Sequence, residues 1–111
     1  MSFDQKTINL VWEKAEIVSG NDKNVFRKDM CGAWIQKEQY GKRDHKYGWE
    51  IDHITTKANG GDDNLSNLRP LHGINNASRG NGKLDTKKPT VTSVNTTNHK
   101  LNDKGEYEEL K

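Results

Sequence analysis

Apolar residues near the start of the chain recur every three or four positions. They are Ile8, Val11, Trp12, Ala15 and Val18. This spacing is typical of a helix with one apolar face, and Gly20 follows it as a stop. The pattern predicts a helix over residues 4–19 that packs against the core.

The middle of the chain alternates short apolar stretches with polar ones. Residues 30–36 (MCGAWIQ) and 49–54 (WEIDHI) are typical of strands. Residues 55–64 (TTKANGGDDN) contain a glycine pair and acids that favour a loop. A short apolar stretch at 65–71 and a short helix at 72–80 are predicted to follow. The predicted order is therefore strand, loop, strand and helix.

The composition changes beyond residue 83, where Thr, Asn and Lys dominate. The few apolar anchors there are Val91, Val94, Leu101, Tyr107 and Leu110. Such a segment lacks the apolar surface to build a core of its own. We expect a domain over residues 1–83 and an irregular polar tail over 84–111, either draped on the domain or partly disordered.

Length and composition indicate one small domain. The chain has 111 residues, of which 30% are hydrophobic and 31% charged, so the core must be small. The formal net charge is only +2, but residues 23–83 carry eleven Lys and Arg against seven Asp and Glu. This excess of positive charge weakly favours a polyanionic partner.

Compartment signals are sparse. Cys31 is the single cysteine, which excludes an intramolecular disulfide. No apolar run reaches membrane-spanning length, and the N-terminal MSFDQKT lacks the features of a signal peptide. We expect a cytoplasmic protein that does not contact a membrane, unless a dedicated export system or a longer parent chain carries it.

Asp52 and His53 are unusual neighbours at the end of a predicted strand, because both residue types are depleted in strands. Mg²⁺ prefers oxygen ligands, and Asp52 together with Asn76 would supply a carboxylate and an amide oxygen. The imidazole of His53 could act as a base, because histidine with an ordinary pKa of ~6.5 is neutral at physiological pH and can accept a proton from water. Asn67 is a candidate for fixing this part of the site, either on the His53 ring or on the loop backbone.

The stretch WEIDHI…GGDDNLSNLRPLHGINNASRG, over residues 49–80, resembles the HNH endonuclease motif, also called the ββα-metal or His-Me finger. Asp52 and His53 match the Asp-His pair of the family, Asn67 its middle Asn, and Asn76 its final His or Asn. Fourteen positions lead from His53 to Asn67 and nine from Asn67 to Asn76, which is the spacing of the family.

The resemblance implies an α+β fold with a small ββα-metal core over residues 48–80 and an added N-terminal helix. It also implies that His53 is the general base and that Asn67 is the structural Asn of the catalytic motif. Asp52 and Asn76 would then hold one divalent cation, Mg²⁺ or Mn²⁺. The expected reaction is hydrolysis of phosphodiester bonds, leaving 5′-phosphate and 3′-hydroxyl ends.

Double-stranded DNA, bound through its backbone, is the expected substrate. Arg43, Arg79 and Lys83 are candidates for phosphate contacts, although ordinary surface charge explains each of them singly. Glu50 shares the side of the strand with Asp52 and is interpreted as an exposed acid or an ion-pair partner. Any sequence specificity would come from a partner or a larger parent protein, and the oligomeric state stays open.

Two other functions are compatible with the same residues. One is a nucleic-acid-binding module that keeps the fold without turnover. The other is the toxic nuclease domain of a secreted effector, held inactive by an immunity protein.

A structural zinc is not expected. Many HNH proteins bind one through two Cys-x-x-Cys pairs, and the corresponding positions here are Cys31, Trp34, His72 and Asn75. Only Cys31 and His72 are plausible ligands, whereas a closed structural site needs four.

One geometric difficulty concerns the proposed site. Neighbouring residues of a regular strand point to opposite faces. Asp52 and His53 would therefore serve one phosphate only where the strand bends or ends.

Overall fold

The computed structural model describes residues 2–111 as a small mixed α/β structure. Its α-helices are α1 (Gln5–Trp12) and α2 (Gly73–Arg79). Its strands are β1 (Phe26–Lys28), β2 (Trp34–Gln36), β3 (Trp49–His53), β4 (Leu68–His72), β5 (Val91–Val94), β6 (Thr97–Leu101) and β7 (Tyr107–Glu109). They form three antiparallel sheets, β1-β2, β3-β4 and β5-β6-β7. Within these residues, no helix is long and apolar enough to cross a membrane.

Helix α1 is shorter than predicted. It begins after Asp4, whose Oδ1 accepts a hydrogen bond from the Thr7 amide at 2.8 Å, and it ends at Trp12 rather than near residue 19. The backbone amide of Glu16 donates to the Lys28 carbonyl at 2.8 Å, so the chain there pairs with β1. Ala15 is buried outside the helix, which explains why the apolar pattern runs past its end.

The hairpin β3-β4 and the helix α2 follow one another as the sequence predicted. Trp49 pairs with His72 and His53 with Leu68 at the two ends of the ladder. α2 then starts directly after β4 and ends at Arg79.

One face of the β3-β4 hairpin packs on α1. The main core is formed by Val11, Trp12, Ala15, Ile35, Trp49, Ile51 and Leu68. Because side chains alternate along a strand, Glu50 and Asp52 of β3 lie on the other face, towards α2.

The prediction of an irregular tail over residues 84–111 is wrong, because this segment contains the sheet β5-β6-β7. Two buried amides attach it to the rest of the chain. Asn98 accepts from the Trp34 amide at 2.7 Å and donates to the Trp34 carbonyl at 2.9 Å. Asn75 bonds the backbone of Val91 in the same reciprocal way, at 2.9 and 2.8 Å. Apart from Val91, which is fully buried, polar side chains anchor this sheet, and the apolar pattern did not predict their contacts.

Candidate active site

The seam between β3 and α2 holds two of the four residues that the motif singled out, Asp52 and Asn76. Asn76 of α2 contacts Glu50 of β3, and Arg79, one helical turn further, contacts Asp52. Residues three apart on a helix share a face, as do residues two apart on a strand. Two helix-to-strand contacts, Asn76 with Glu50 and Arg79 with Asp52, therefore lie side by side along this seam.

Asp52 is only 5% exposed and is paired with two arginines. Its Oδ2 accepts from Arg69 Nε at 2.7 Å and from Arg79 Nη1 at 2.8 Å, and its Oδ1 accepts from Arg79 Nη1 at 3.0 Å. Arg69 lies directly opposite Asp52 in the hairpin ladder. A buried carboxylate needs such partners, and these hold it in one orientation.

Glu50 fixes the orientation of the Asn76 amide. Its Oε1 accepts from Asn76 Nδ2 at 2.8 Å, and both its oxygens accept from Arg43, at 2.7 and 3.0 Å. A carboxylate only accepts hydrogen bonds, so the amide nitrogen of Asn76 must face Glu50 and its oxygen must face away. Arg43 is thus tied to the site from outside β3, and the ion-pair interpretation of Glu50 matches this contact.

His53 ends β3 and contacts a different set of residues. Its Nε2 lies 2.7 Å from Asp63 Oδ1, and its carbonyl accepts from Arg79 Nη1 at 2.8 Å. The ring of Phe3 lies 5.9 Å from its own, centre to centre. Among residues 2–111, no hydrogen bond joins the His53 side chain to those of Asp52 or Asn76.

Asn67 closes the loop between His53 and β4. Its Oδ1 accepts from the Thr55 amide at 2.8 Å, and its Nδ2 donates to the carbonyls of Thr55 and Asp62 at 3.0 and 2.8 Å. Gly61 is needed in this loop, because a Cβ there would lie 1.7 Å from the Thr55 carbonyl oxygen. The Asn67 side chain thus bonds the loop backbone, one of the two positions expected for it.

A cleft of about 580 Å³ opens beside the Arg69 and Arg79 side chains. Its walls come from the loop after β3 and from the segment after α2, which contributes the exposed Lys83. Apolar side chains of Met30, Ile54 and Leu84 complete the lining. Arg79 and Lys83 therefore share one concave surface, whereas Arg43 lies at the Glu50 end of the seam.

Three of the four positions compared with zinc ligands, Cys31, His72 and Asn75, contact a buried carboxylate, that of Asp29. Oδ1 of Asp29 accepts from the amides of Cys31 and Ala33, both at 2.9 Å. Oδ2 accepts from the His72 amide at 2.9 Å and from Asn75 Nδ2 at 3.1 Å. Four donors therefore meet one carboxylate that is 2% exposed.

Cys31 and His72 are held in neutral forms in these surroundings. Burial raises the pKa of the Cys31 thiol to about 12, and burial lowers the pKa of His72. His72 Nδ1 accepts from the Ile74 amide at 3.1 Å, and its Nε2 lies 2.8 Å from the Lys46 carbonyl oxygen. Both ring nitrogens of His72 are thus in hydrogen bonds.

Three polar residues of this region were not predicted from the sequence: Asp29, Asp63 and Arg69. Asp63 had a local signal, since it belongs to the acidic GGDDN loop that follows the Asp-His pair. Arg69 follows from the register of the hairpin, in which it opposes Asp52. Nothing near Asp29 in the sequence indicates that four donors will surround it.

Taken together, the hairpin, the helix and the histidine beside a carboxylate define a small α/β domain with a compact polar site. Residues 30–82 match the family model described as HNH endonuclease. This segment is therefore similar to the domains of a nuclease family, and the resemblance seen over residues 49–80 is confirmed. Comparison with curated proteins and with solved structures gives no significant match.

Proposed function

We propose that the chain is a metal-dependent HNH endonuclease that hydrolyses phosphodiester bonds in DNA. In this proposal β3, β4 and α2 form the ββα-metal core. The observation that supports it most is the seam where α2 sets Asn76 and Arg79 against Glu50 and Asp52, with His53 at the strand end. Nuclease chemistry needs oxygen donors, cations for phosphate and a base. The seam contains the oxygen donors and the cations, and His53 at the end of β3 would supply the base.

The seam contains oxygen donors of the kind that divalent ions bind, and HNH nucleases generally use such an ion. Because Arg69 and Arg79 are bonded to the Asp52 carboxylate, the ion would have to replace at least one of these bonds. The Asp52 carboxylate and the Asn76 amide oxygen would hold it, and oxygen ligands favour Mg²⁺ or Mn²⁺. In the described part of the chain, no three His, Cys, Asp or Glu side chains cluster as a metal site. A substrate phosphate would have to complete the donor set. When bound, such an ion stabilises negative charge on the phosphate.

His53 acts as the general base. It takes a proton from water while the water oxygen bonds to phosphorus and the bond from phosphorus to O3′ breaks, and O3′ takes a proton from the solvent. The products carry a 5′-phosphate and a 3′-hydroxyl. Because water is the nucleophile, the substrate needs no 2′-hydroxyl, and DNA is therefore suitable.

In this proposal Arg43 and Lys83 contact the sugar-phosphate backbone of double-stranded DNA. The Arg79 side chain is only 5% exposed and donates to Asp52 and to the His53 carbonyl, so the phosphate contact proposed for Arg79 requires it to give up one of these bonds. Arg79 and Lys83 line the cleft beside the seam, and Arg43 is 51% exposed while it holds Glu50. Such contacts position the duplex and carry no sequence information. We therefore propose cleavage with little sequence preference by this domain.

The ends of the products test the reaction. A labelled deoxyoligonucleotide duplex incubated with the folded chain and Mg²⁺ is expected to give fragments with 5′-phosphates and 3′-hydroxyls, which DNA ligase rejoins. Fragments with 5′-hydroxyl and 3′-phosphate ends would contradict water attack with O3′ as leaving group. Binding of the duplex with no cleavage, in Mg²⁺ or in Mn²⁺, would favour the inactive binding module instead.

Replacement of Asn76 tests the proposed metal donor. Asn76→Ala is expected to lower cleavage about 10- to 100-fold at limiting Mg²⁺, because one of two protein oxygen donors is lost, and higher Mg²⁺ is expected to restore part of the rate. Initial nicking rates over a Mg²⁺ titration measure both effects. Ser78→Ala, an exposed change on the same helix, is the matched control. A titration curve of Asn76→Ala that overlays the wild type would rule out this donor.

A further inference from the structure

The His53 ring contacts two residues outside the β3-α2 seam, Asp63 and Phe3. Asp63 Oδ1 lies 2.7 Å from Nε2, and Phe3 packs near the ring at 5.9 Å between centroids. Only 19% of the His53 side chain is exposed. Ring rotation would break the bond to Asp63, so one orientation is favoured.

The contact with Asp63 also selects which ring nitrogen carries the proton. A carboxylate accepts hydrogen bonds and cannot donate them. Nε2 of a neutral His53 must therefore be the protonated nitrogen, which leaves the lone pair on Nδ1. The hydrogen bonds from His53 and Lys57 lower the pKa of Asp63, so the carboxyl group is ionised at neutral pH.

We propose that Asp63 is a positioning residue that fixes the Nε2–H tautomer and the orientation of His53, so that Nδ1 accepts the proton of the attacking water. This inference rests on the proposed nuclease function. In the step, an O–H bond of water breaks, its proton goes to Nδ1, and the oxygen bonds to phosphorus. The bond from phosphorus to O3′ breaks, and O3′ takes a proton from the solvent. The proton on Nε2 stays in place, and the Asp63 carboxylate stabilises the positive ring that results.

The loop delivers Asp63 to this position through bonds that do not involve His53. The Asn67 amide spans the loop from Thr55 to Asp62. Lys57 Nζ lies 3.1 Å from Asp63 Oδ1. The side chain of neighbouring Asp62 is turned to Asn64 instead, at 2.8 Å from Nδ2. Asp62 is therefore a matched acidic control on the same loop.

The energy of the His53–Asp63 pair does not suggest a role in folding. Asp63 is 38% exposed, and exposed ion pairs contribute little to stability. Orienting the second nitrogen of a histidine by a carboxylate is, in contrast, a common way to set its tautomer. Loss of Asp63 should therefore change the ring and the rate while the fold is kept.

The tautomer is measured by ¹⁵N NMR of the imidazole nitrogens, at a pH where histidines are neutral. The His53 signals are assigned as those missing from the spectrum of His53→Ala. We expect the Nε2–H form in the wild type and in Asp62→Ala. We expect a mixture of both forms in Asp63→Ala. An Nδ1–H form in the wild type, or an unchanged tautomer in Asp63→Ala, would overturn the proposal.

The kinetic arm uses the same variants on a DNA duplex. Asp63→Ala is expected to lower kcat about 10- to 100-fold with KM unchanged, and Asp63→Asn, which keeps an acceptor oxygen, is expected to recover part of the loss. Asp62→Ala should match the wild type, and urea unfolding should be alike for all of these proteins. An unchanged kcat in Asp63→Ala overturns the role of Asp63. Absence of cleavage by the wild type contradicts the nuclease function itself, and the NMR result is independent of it.

Discussion

His53→Ala is expected to lower the rate of DNA nicking by about 10²- to 10⁴-fold, the usual contribution of a positioned general base. The other residues of the seam stay in place in this variant, because Asp52 and Asn76 bond to Arg79, Arg69 and Glu50 rather than to the His53 ring. DNA binding should therefore be kept while turnover is lost. Initial rates on supercoiled plasmid, together with duplex binding, measure the two separately.

His99→Ala is the matched control for this prediction. His99 lies on β6, where its Nε2 is 3.1 Å from Thr97 Oγ1, away from the proposed site. It should nick at the wild-type rate. Added imidazole is expected to restore part of the activity of His53→Ala. A rate for folded His53→Ala within threefold of the wild type would show that another group accepts the proton.

Asp29→Ala is expected to destabilise the fold by about 3 kcal/mol or more, because each buried donor left without an acceptor costs about 1–3 kcal/mol. The change leaves four hydrogen-bond donors without their acceptor, in two parts of the chain that Asp29 joins: the turn before β2 and the junction of β4 with α2. Burial raises the pKa of Asp29, and its hydrogen bonds oppose that shift. Those bonds therefore favour the ionised form of the Asp29 carboxyl group, whereas burial favours the neutral form.

Urea unfolding followed by tryptophan fluorescence measures this effect. Asp29→Asn keeps an oxygen for two donors but turns its own amide nitrogen towards the other two, so it should also be destabilised. Asp103→Ala, an exposed aspartate in the turn before β7, should shift the free energy of unfolding by less than about 0.5 kcal/mol. Equal unfolding midpoints for Asp29→Ala and the wild type would mean that the carboxylate does not join the two parts.

The middle of the fold could be predicted because its signals are local. The strand at residues 49–53, the loop and the helix at 73–79 follow from the apolar pattern and from turn residues. The helix at the N-terminus was predicted in the right place but with too many residues, since it ends at Trp12 rather than near residue 19. Its apolar spacing continues past Trp12 to Ala15 and Val18, and Ala15 is buried in a bend after the helix. Spacing alone does not distinguish a buried helical residue from a buried residue in a bend.

The sheet at the C-terminus could not be predicted in the same way. Asn75 and Asn98 attach it by pairing their amides with backbone groups of Val91 and Trp34. Asparagine is usually a surface or turn residue, so its burial depends on partners far along the chain. A pattern based on apolar positions does not detect such contacts.

For the candidate site, the sequence indicated the residues but not their partners. Spacing within the motif singled out His53, Asn67 and Asn76. Which side chain each one contacts depends on strand register and loop closure, which the structure gives as Asp63 for His53 and Glu50 for Asn76. Their roles in catalysis stay predictions.

Nicking of supercoiled plasmid by the purified wild-type chain, in Mg²⁺ and in Mg²⁺ with excess EDTA, tests the central claim most directly. We expect conversion to the open circular form in Mg²⁺ and none in EDTA. A folded chain that leaves the plasmid intact in both Mg²⁺ and Mn²⁺, or that cuts it equally well in EDTA, would contradict a metal-dependent DNA endonuclease.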